Sequence, residues 1–593
     1  MFIDPQTMQG TAGAASSRPS MSGAAMVWAA LVEHQTDLVF GYPGGSILPV
    51  YDLLRGQNGI RHILPRHEQA GAFAATAYAK ASGKTGVLIV TSGPGATNTV
   101  TGLAEAYADS IPLVMIAGQV PTALIGSRAF QESDITGMTR PCTKASWLVR
   151  DSADLPFLLH EAFRVASSGR KGPVVIDLPK DIQLAQGDYI SRAAYGALFV
   201  PPASPPQCLD IAALEQAVAM MEKAKKPVLY IGGGVTAAGQ DAANELHKLA
   251  DATGFPVTST LMGLGCLPAS HKQGLGMLGM YGTLEANKAM HEADLIVAIG
   301  ARFDDRATGP AGLFAPEAKI VHIDIDPQPI GGASGRRPDL TIKAESGAAL
   351  RSLNEAWGKG RGVSLSLQPW WQKIEGWRAQ QCLSFAQQKG QIMPQQAIRT
   401  LSRLTQGWEA TIVTGVGQHQ MWTAQHYGFE QAGRLITSGG HGSMGYCLPA
   451  AIGAQLARPN AAVICVTGDG SFQMNAQEMI TATAYGLPIK VLLLNNGKLG
   501  MVRQIMKDDY GQPLAETDIG IQPDFAALAK ANGWQAGRVR SPSGLTRALS
   551  RLLAAKGPAL LDCRTAPEEM CYPVIPTGKS HAVIKHNGTR VSP

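Results

Sequence analysis

Residues 461–500 read AAVICVTGDGSFQMNAQEMITATAYGLPIKVLLLNNGKLG, and this stretch decides the fold. Residues 463–466 and 489–494 are short apolar runs, the pattern of parallel strands buried on both faces. Residues 475–485 between them have the length of a helix, and Gly486-Leu487-Pro488 stops it. Gly468-Asp469-Gly470-Ser471 falls where the first strand ends, and Asn495-Asn496 where the second ends. Open α/β sheets bind ligands beyond the carboxyl ends of their strands. The spacing therefore predicts Asp469 and Asn496 on one rim. A carboxylate and an amide oxygen there suit a hard cation such as Mg²⁺, with a loop carbonyl near Lys498 as a third ligand. Gly468 and Gly470 let the backbone approach a diphosphate, and the helix after Ser471 offers free N–H groups. Either half alone is as well explained by an ordinary turn. Both halves at this spacing, on these elements, are far more specific.

Working outward, the chain has 593 residues, which predicts three or four domains at roughly 150 residues each. Hydrophobic residues make up 45%, enough for full cores, and the formal net charge is only +6. No basic block with interleaved aromatics occurs, which excludes a nucleic-acid-binding reading. The eight cysteines form no CxxC pair, and Cys465 lies in a predicted buried strand, a pattern that fits a reducing cytoplasm without a zinc site. No apolar run reaches the ~18 residues of a membrane span. The first twenty residues are small and polar, with Arg18 alone carrying positive charge, and residues 1–21 are expected to be a disordered tail.

Residues 22–190 alternate helix and strand with glycine-rich strand ends, the order of a parallel α/β sheet. Tyr42-Pro43-Gly44-Gly45 follows one strand, and Glu68, in Arg66-His67-Glu68-Gln69, opens an Ala-rich helix with almost no other charge. Taken alone, Glu68 is best explained as a carboxylate complementing the helix dipole. Residues 201–206, PPASPP, mark a semi-rigid boundary. A second α/β series over 208–350 has strand ends at Gly232-Gly233-Gly234 and at Gly300-Ala301-Arg302-Phe303-Asp304-Asp305-Arg306. The Arg302–Arg306 cluster suits phosphate or ribose as well as it suits a surface ion-pair patch. A Trp- and Gln-rich helical connector over 360–391 leads to a third series over 390–577. It contains Val416-Gly417-Gln418-His419 and the GGHGSMGYCLP run over 439–449. Residues 578–593 are expected to be a mobile tail. The fold class is α/β, with three doubly wound parallel-sheet domains.

The GDG motif, a strand-spaced gap and NN resemble the thiamine diphosphate (ThDP) enzymes. That resemblance implies that Asp469, Asn496 and the loop at Lys498 hold Mg²⁺ and, through it, the diphosphate. It implies that Glu68 hydrogen-bonds N1′ of the aminopyrimidine, so that the cofactor serves as its own base. Tyr42, Gly45, Val416, Gly417, Gln418, His419, Gly442, Met444, Gly468, Gly470 and Ser471 would line the cofactor bed, with Met444 as the fulcrum that bends it. Gln131, in Phe130-Gln131-Glu132, would lie near the substrate, and Lys180 near the entrance.

In the middle domain the GARFDDR run, the GMLGM run over 276–280 and Thr260-Leu261-Met262 narrow the resemblance to the acetolactate synthase (acetohydroxyacid synthase) family, catalytic subunit. It covers residues 22 to about 577. By it, Arg170, Gly232, Gly233, Gly234, Thr260, Leu261, Met262, Met280, Gly300, Arg302, Asp304 and Asp324 would contact FAD, and Arg306 would pair with the second substrate's carboxylate. The implied reaction is decarboxylation of pyruvate and carboligation to pyruvate or 2-ketobutyrate, a transferase step of valine, leucine and isoleucine biosynthesis. The implied assembly is a homodimer or homotetramer with active sites between subunits, joined by a small regulatory subunit. The nearest alternative is glyoxylate carboligase, which has an apolar residue where Glu68 stands; a pyruvate oxidase and a silent scaffold subunit are weaker rivals. Two positions depart from the family pattern: Ile505 replaces a usual Trp, and Glu345 a usual Asp.

Overall fold

The computed structural model describes residues 19–56, 59–198, 210–332, 335–358, 367–511, 516–586 and 589–591. Residues 1–18 of the tail expected over 1–21 lie outside these, as do the PPASPP boundary and Cys208.

Three six-stranded sheets carry the fold, and every pairing within them is parallel. The first runs in the order Arg61–Ile63, Leu38–Tyr42, Gly86–Val90, Leu113–Gln119, Pro173–Pro179, Ala145–Leu148. The second runs Gly274–Met277, Val257–Ser259, Pro227–Ile231, Leu295–Ile299, Lys319–Asp324, Leu340–Lys343. The third runs Leu435–Ile436, Ala410–Thr414, Ala462–Gly468, Lys490–Asn495, Ala559–Arg564, Gln535–Val539. Fully buried runs such as Val463, Ile464, Cys465 and Val466 explain the parallel arrangement, because helices cover both faces. Each sheet has strand-order reversals, which open crevices at the carboxyl rims.

The first and third domains share one core. The helix Glu68–Ser82 packs on the helix Cys447–Ala457, with Phe73 and Tyr446 edge to face at 5.3 Å. The approach is so close that a Cβ on Gly453 would fall 2.0 Å from the Ala74 carbonyl oxygen.

Four features differ from expectation. The helix predicted over 475–485 is found shortened, as Glu478–Ala484, and a separate short helix, Asp469–Gln473, precedes it. In the turn between them the Asn475 side-chain amide donates to the Gly445 carbonyl at 2.9 Å. The presumed N-terminal tail ends sooner, because Ser20–Ser22 pairs with Gln186–Asp188. The segment after residue 577 is packed: His581 is buried and hydrogen-bonds the Ala307 carbonyl at 2.8 Å, and Ile584–His586 pairs with Thr589–Val591. Cys447 and Cys465, expected as free thiols, are paired as a disulfide within the shared core.

Candidate active site

Asp469 and Asn496 stand where the sequence places them, at the carboxyl ends of two adjacent parallel strands. Asp469 is only 1% exposed. Its Oδ2 accepts the Gly497 backbone N–H at 3.0 Å, which draws the two loops onto one rim, and it also accepts the Gln522 amide. Burial raises its pKa; the Gln522 amide, backbone N–H groups and Arg564 pull it back in part. Neither Gln522 nor Arg564 belongs to any motif. Arg564 donates to the Asn495 and Gln522 side-chain oxygens at 3.2 and 3.1 Å and so props both loops. A buried carboxylate with no cation bonded to it, beside an amide oxygen, fits a divalent ion.

Asn496 Oδ1 accepts the Lys498 backbone N–H at 3.1 Å, and its amide donates to Gln418 Oε1 at 3.4 Å. The Lys498 ammonium turns outward to Asp518 at 2.5 Å. Only the backbone of Lys498 therefore addresses the rim.

The loop over 415–419 faces this rim. A Cβ on Gly415 would fall 2.7 Å from His419 Nε2 and 2.8 Å from Ser471 Oγ, and one on Gly468 would fall 2.8 Å from His419 Nδ1. His419 is buried, and its Nε2 has no hydrogen-bond partner of good geometry. Burial lowers its pKa to about 3, with the Gly415 backbone opposing. A neutral imidazole with an orphaned nitrogen fits a contact to a bound polar group, here the expected diphosphate, and not a general base. Gly417 adopts φ 139°, and Val416 closes against Gly442, whose Cβ would meet it at 4.0 Å. The Met444 methyl would stand 3.7 Å from a Cβ on Gly470, so Met444 borders the GDG loop. Ser471 Oγ accepts the Gly445 N–H at 3.0 Å.

Glu68 is the first residue of its helix and accepts the Asn98 amide at 3.0 Å. No hydrogen bond or ion pair joins it to Asp469, Asn496 or the 415–419 loop among the described residues. Beside Glu68, the first-domain rim is built by Ser46 and Ser92, whose hydroxyls meet at 2.8 Å, with Tyr42 and Gly45 on the same loop. Gln131 holds a left-handed φ of 60°, and Gly93 at φ 58° lies against its backbone. Lys180 opens the short helix Lys180–Leu184 and is half-buried.

The residues expected at FAD gather at the carboxyl ends of the middle sheet. Gly232 and Gly234 pack on Gly300, where a Cβ would fall 2.2 Å from the Gly300 oxygen and 2.6 Å from its Cα. These glycines are therefore already required by the meeting of two strand ends. Arg302 is exposed beside the 439–440 loop, and Arg170 reaches across from the first domain to Asp326 at 3.7 Å, next to Asp324. Thr260 Oγ1 caps the turn that contains Leu261 and Met262, accepting the Gly263 N–H at 3.1 Å. Asp304 caps the turn carrying Arg306, whose guanidinium is exposed 3.9 Å from the Met280 sulfur. A set of two arginines and two carboxylates around this rim is compatible with a phosphate- and ribose-bearing group. Glu345 caps the helix Ser346–Gly358 by accepting the Gly347 and Ala348 N–H groups, each at 2.9 Å.

Comparison with known proteins agrees with this geometry. Three thiamine pyrophosphate enzyme families match: the N-terminal TPP binding domain over residues 21–138, the central domain over 214–353 and the C-terminal TPP binding domain over 415–563. The acetolactate synthase large subunit of Haemophilus influenzae is 43% identical over 93% of this chain and 96% of its own length. The acetolactate synthase isozyme 3 large subunit of Escherichia coli is 45% identical over 90% of this chain and 92% of its own. The chloroplastic acetolactate synthase of Arabidopsis thaliana is 44% identical over 94% and 83%. Matches of that extent, across all three sheets and with Asp469 and Asn496 on a single rim, place the chain in the acetolactate synthase family of thiamine diphosphate enzymes.

Proposed function

We propose that the chain decarboxylates pyruvate and ligates the two-carbon unit to a second 2-keto acid. The products are 2-acetolactate from pyruvate, or 2-aceto-2-hydroxybutyrate from 2-ketobutyrate. The observation that carries this reading is the buried Asp469 carboxylate facing Asn496 across two strand ends. Asp469, Asn496 and a backbone oxygen near Lys498 would hold Mg²⁺, which would supply positive charge for the diphosphate. His419, kept neutral by burial, meets the diphosphate without adding charge.

When bound, ThDP supplies a nucleophilic carbon and an electron sink. Glu68 hydrogen-bonds the aminopyrimidine and sets its proton inventory. The assembly is a dimer or tetramer in which a second copy brings its Glu68 to this rim, a reading that rests on membership of the family. Gln131 and Lys180 orient the first keto acid, and Arg306 pairs with the carboxylate of the second. Ile505, on the helix Gly500–Tyr510, is smaller than the usual Trp and weakens any preference for 2-ketobutyrate. FAD, in a reaction with no net redox change, serves as a structural part of the middle domain. The relatives' designation as large subunits supports a small regulatory partner. No helix among the described residues is long and apolar enough to cross a membrane.

The test is to assay acetolactate from pyruvate with ThDP and Mg²⁺, comparing wild type with Glu68→Gln. The variant is expected to lose turnover by roughly a hundredfold or more at unchanged circular dichroism. Near-normal turnover would overturn the role of Glu68, and absence of acetolactate from the wild type would overturn the reaction.

A further inference from the structure

The helix that begins with Glu68 ends near a second group of charges, buried between domains and unused by the chemistry above. Lys80 Nζ lies 2.6 Å from Asp109 and 3.4 Å from Glu105, and the three side chains are 6%, 1% and 0% exposed. All three belong to the N-terminal domain, yet their side chains reach into the C-terminal domain: the loop over 437–443 takes most of their hydrogen bonds, and the Lys80 ammonium lies 5.0 Å from the centroid of the Tyr446 ring. Lys80 donates to the Thr437 carbonyl at 2.8 Å. Asp109 accepts the backbone N–H groups of Gly439 and Gly440 at 3.1 and 2.6 Å. Glu105 accepts the hydroxyls of Ser438 and Ser443, the second at 3.1 Å.

Lys80 and Asp109 pair as opposite charges, and the loop's N–H and hydroxyl groups satisfy the remaining carboxyl oxygens of Asp109 and Glu105. Hydrogen bonds to a buried charge are short and directional. They therefore fix the loop more tightly than neutral contacts do. The loop has little room besides: a Cβ on Gly439 would strike the Met262 sulfur at 2.5 Å, and one on Gly440 would come within 2.9 Å of Arg302. On its far side Ser471 and Asn475 hold Gly445. Met444, bordering the GDG loop, lies between these two anchors.

We propose that Lys80, Asp109 and Glu105 are positioning residues. Their buried ion cluster fixes the 437–443 loop of the same chain and thereby sets the place of Met444 in the cofactor bed. This inference rests on the reading of Met444 as a cofactor contact, so its test treats the two separately.

The full-length chain is prepared with Asp109→Asn, with Lys80→Met and, separately, with Met444→Ala. Asp109→Asn keeps the volume but leaves one acceptor oxygen for two N–H donors. Three quantities are read: hydrogen exchange of residues 437–445, ThDP affinity by calorimetry with Mg²⁺, and kcat and KM for pyruvate. Asp109→Asn is expected to speed loop exchange at least tenfold, weaken ThDP binding and lower kcat by roughly ten- to a hundredfold, with KM changed less than about threefold. If Lys80→Met does not fold, Asp109→Asn alone decides. Faster loop exchange with unchanged kcat and ThDP affinity would overturn the positioning role, as would unchanged exchange in a folded variant. Met444→Ala with wild-type kcat and ThDP affinity would instead overturn the reading of Met444. Rescue of Asp109→Asn by the double variant Lys80→Met/Asp109→Asn in exchange but not in kcat would also refute the link between loop and cofactor.

Discussion

A carboxylate at 1% exposure, such as Asp469, is stable only where something offsets the loss of water. One amide and one backbone N–H do that in part, and its pKa remains raised by burial. A fold selected for stability alone has no need of this acid. Asp469→Asn is therefore expected to leave the melting temperature of the metal-free protein unchanged or slightly higher. Affinity for ThDP with Mg²⁺ is expected to fall by roughly a hundredfold, equivalent to about 2.7 kcal/mol. Calorimetric titration and thermal melts of the same preparation check both. A drop in melting temperature without a loss of affinity would mean the carboxylate serves the fold and not a cation.

At the scale of elements, the seam between the helices Glu68–Ser82 and Cys447–Ala457 depends on close backbone approach. With only 2.0 Å available beside Gly453, the methyl group of Gly453→Ala has to push the helices apart. A cost of about 1–3 kcal/mol follows from overpacking of this kind. It should appear as a fall in melting temperature of about 3 °C or more, with altered fluorescence or NMR signals from Tyr446. Elements were legible where hydrophobic periodicity dictates them: the strand read over 463–466 is found as Ala462–Gly468, and that over 489–494 as Lys490–Asn495. The helix read over 475–485 is found as Glu478–Ala484; its later start follows a turn in which Asn475 bonds to a loop thirty residues earlier, a contact no local pattern encodes. Distance in sequence also hid the cluster of Lys80, Glu105 and Asp109, and the support of Asp469 by Gln522. No spacing rule links residues 25, 29 or 53 positions apart. The packed segment around His581 carries no motif, and its ordering comes from tertiary contacts to Ala307 and Lys288.

For the molecule as a whole, buried titratable groups set an acid limit. Burial lowers the pKa of His34, His419 and His426 to about 3 and of His62 and His581 to about 4, from an ordinary 6.5. The unfolded chain binds these protons as pH falls through 6.5, whereas the folded chain does not, so stability is lost over that range. Asp177 and Glu105 act oppositely: burial raises each to about 7, so the folded chain holds their protons first and gains stability as pH falls. The named histidines outnumber those acids, and the net sign is destabilisation below pH 6.5. Thermal melts at pH 7.5 and pH 5 should show a lower melting temperature at pH 5; an equal or higher value would contradict the assignment of these rings as neutral.

The alanine-lined helix that begins at Glu68 has a consequence for how this protein can change over generations. Interiors lined by leucine and isoleucine drift by trading methylenes among neighbours. Here much of the contact is between alanines and glycines, and at Gly453 main chain already occupies the space where a Cβ would go. Substitution along this seam should be slow for steric reasons alone. Its near-invariance among descendants would therefore be a poor guide to which of its residues take part in the chemistry.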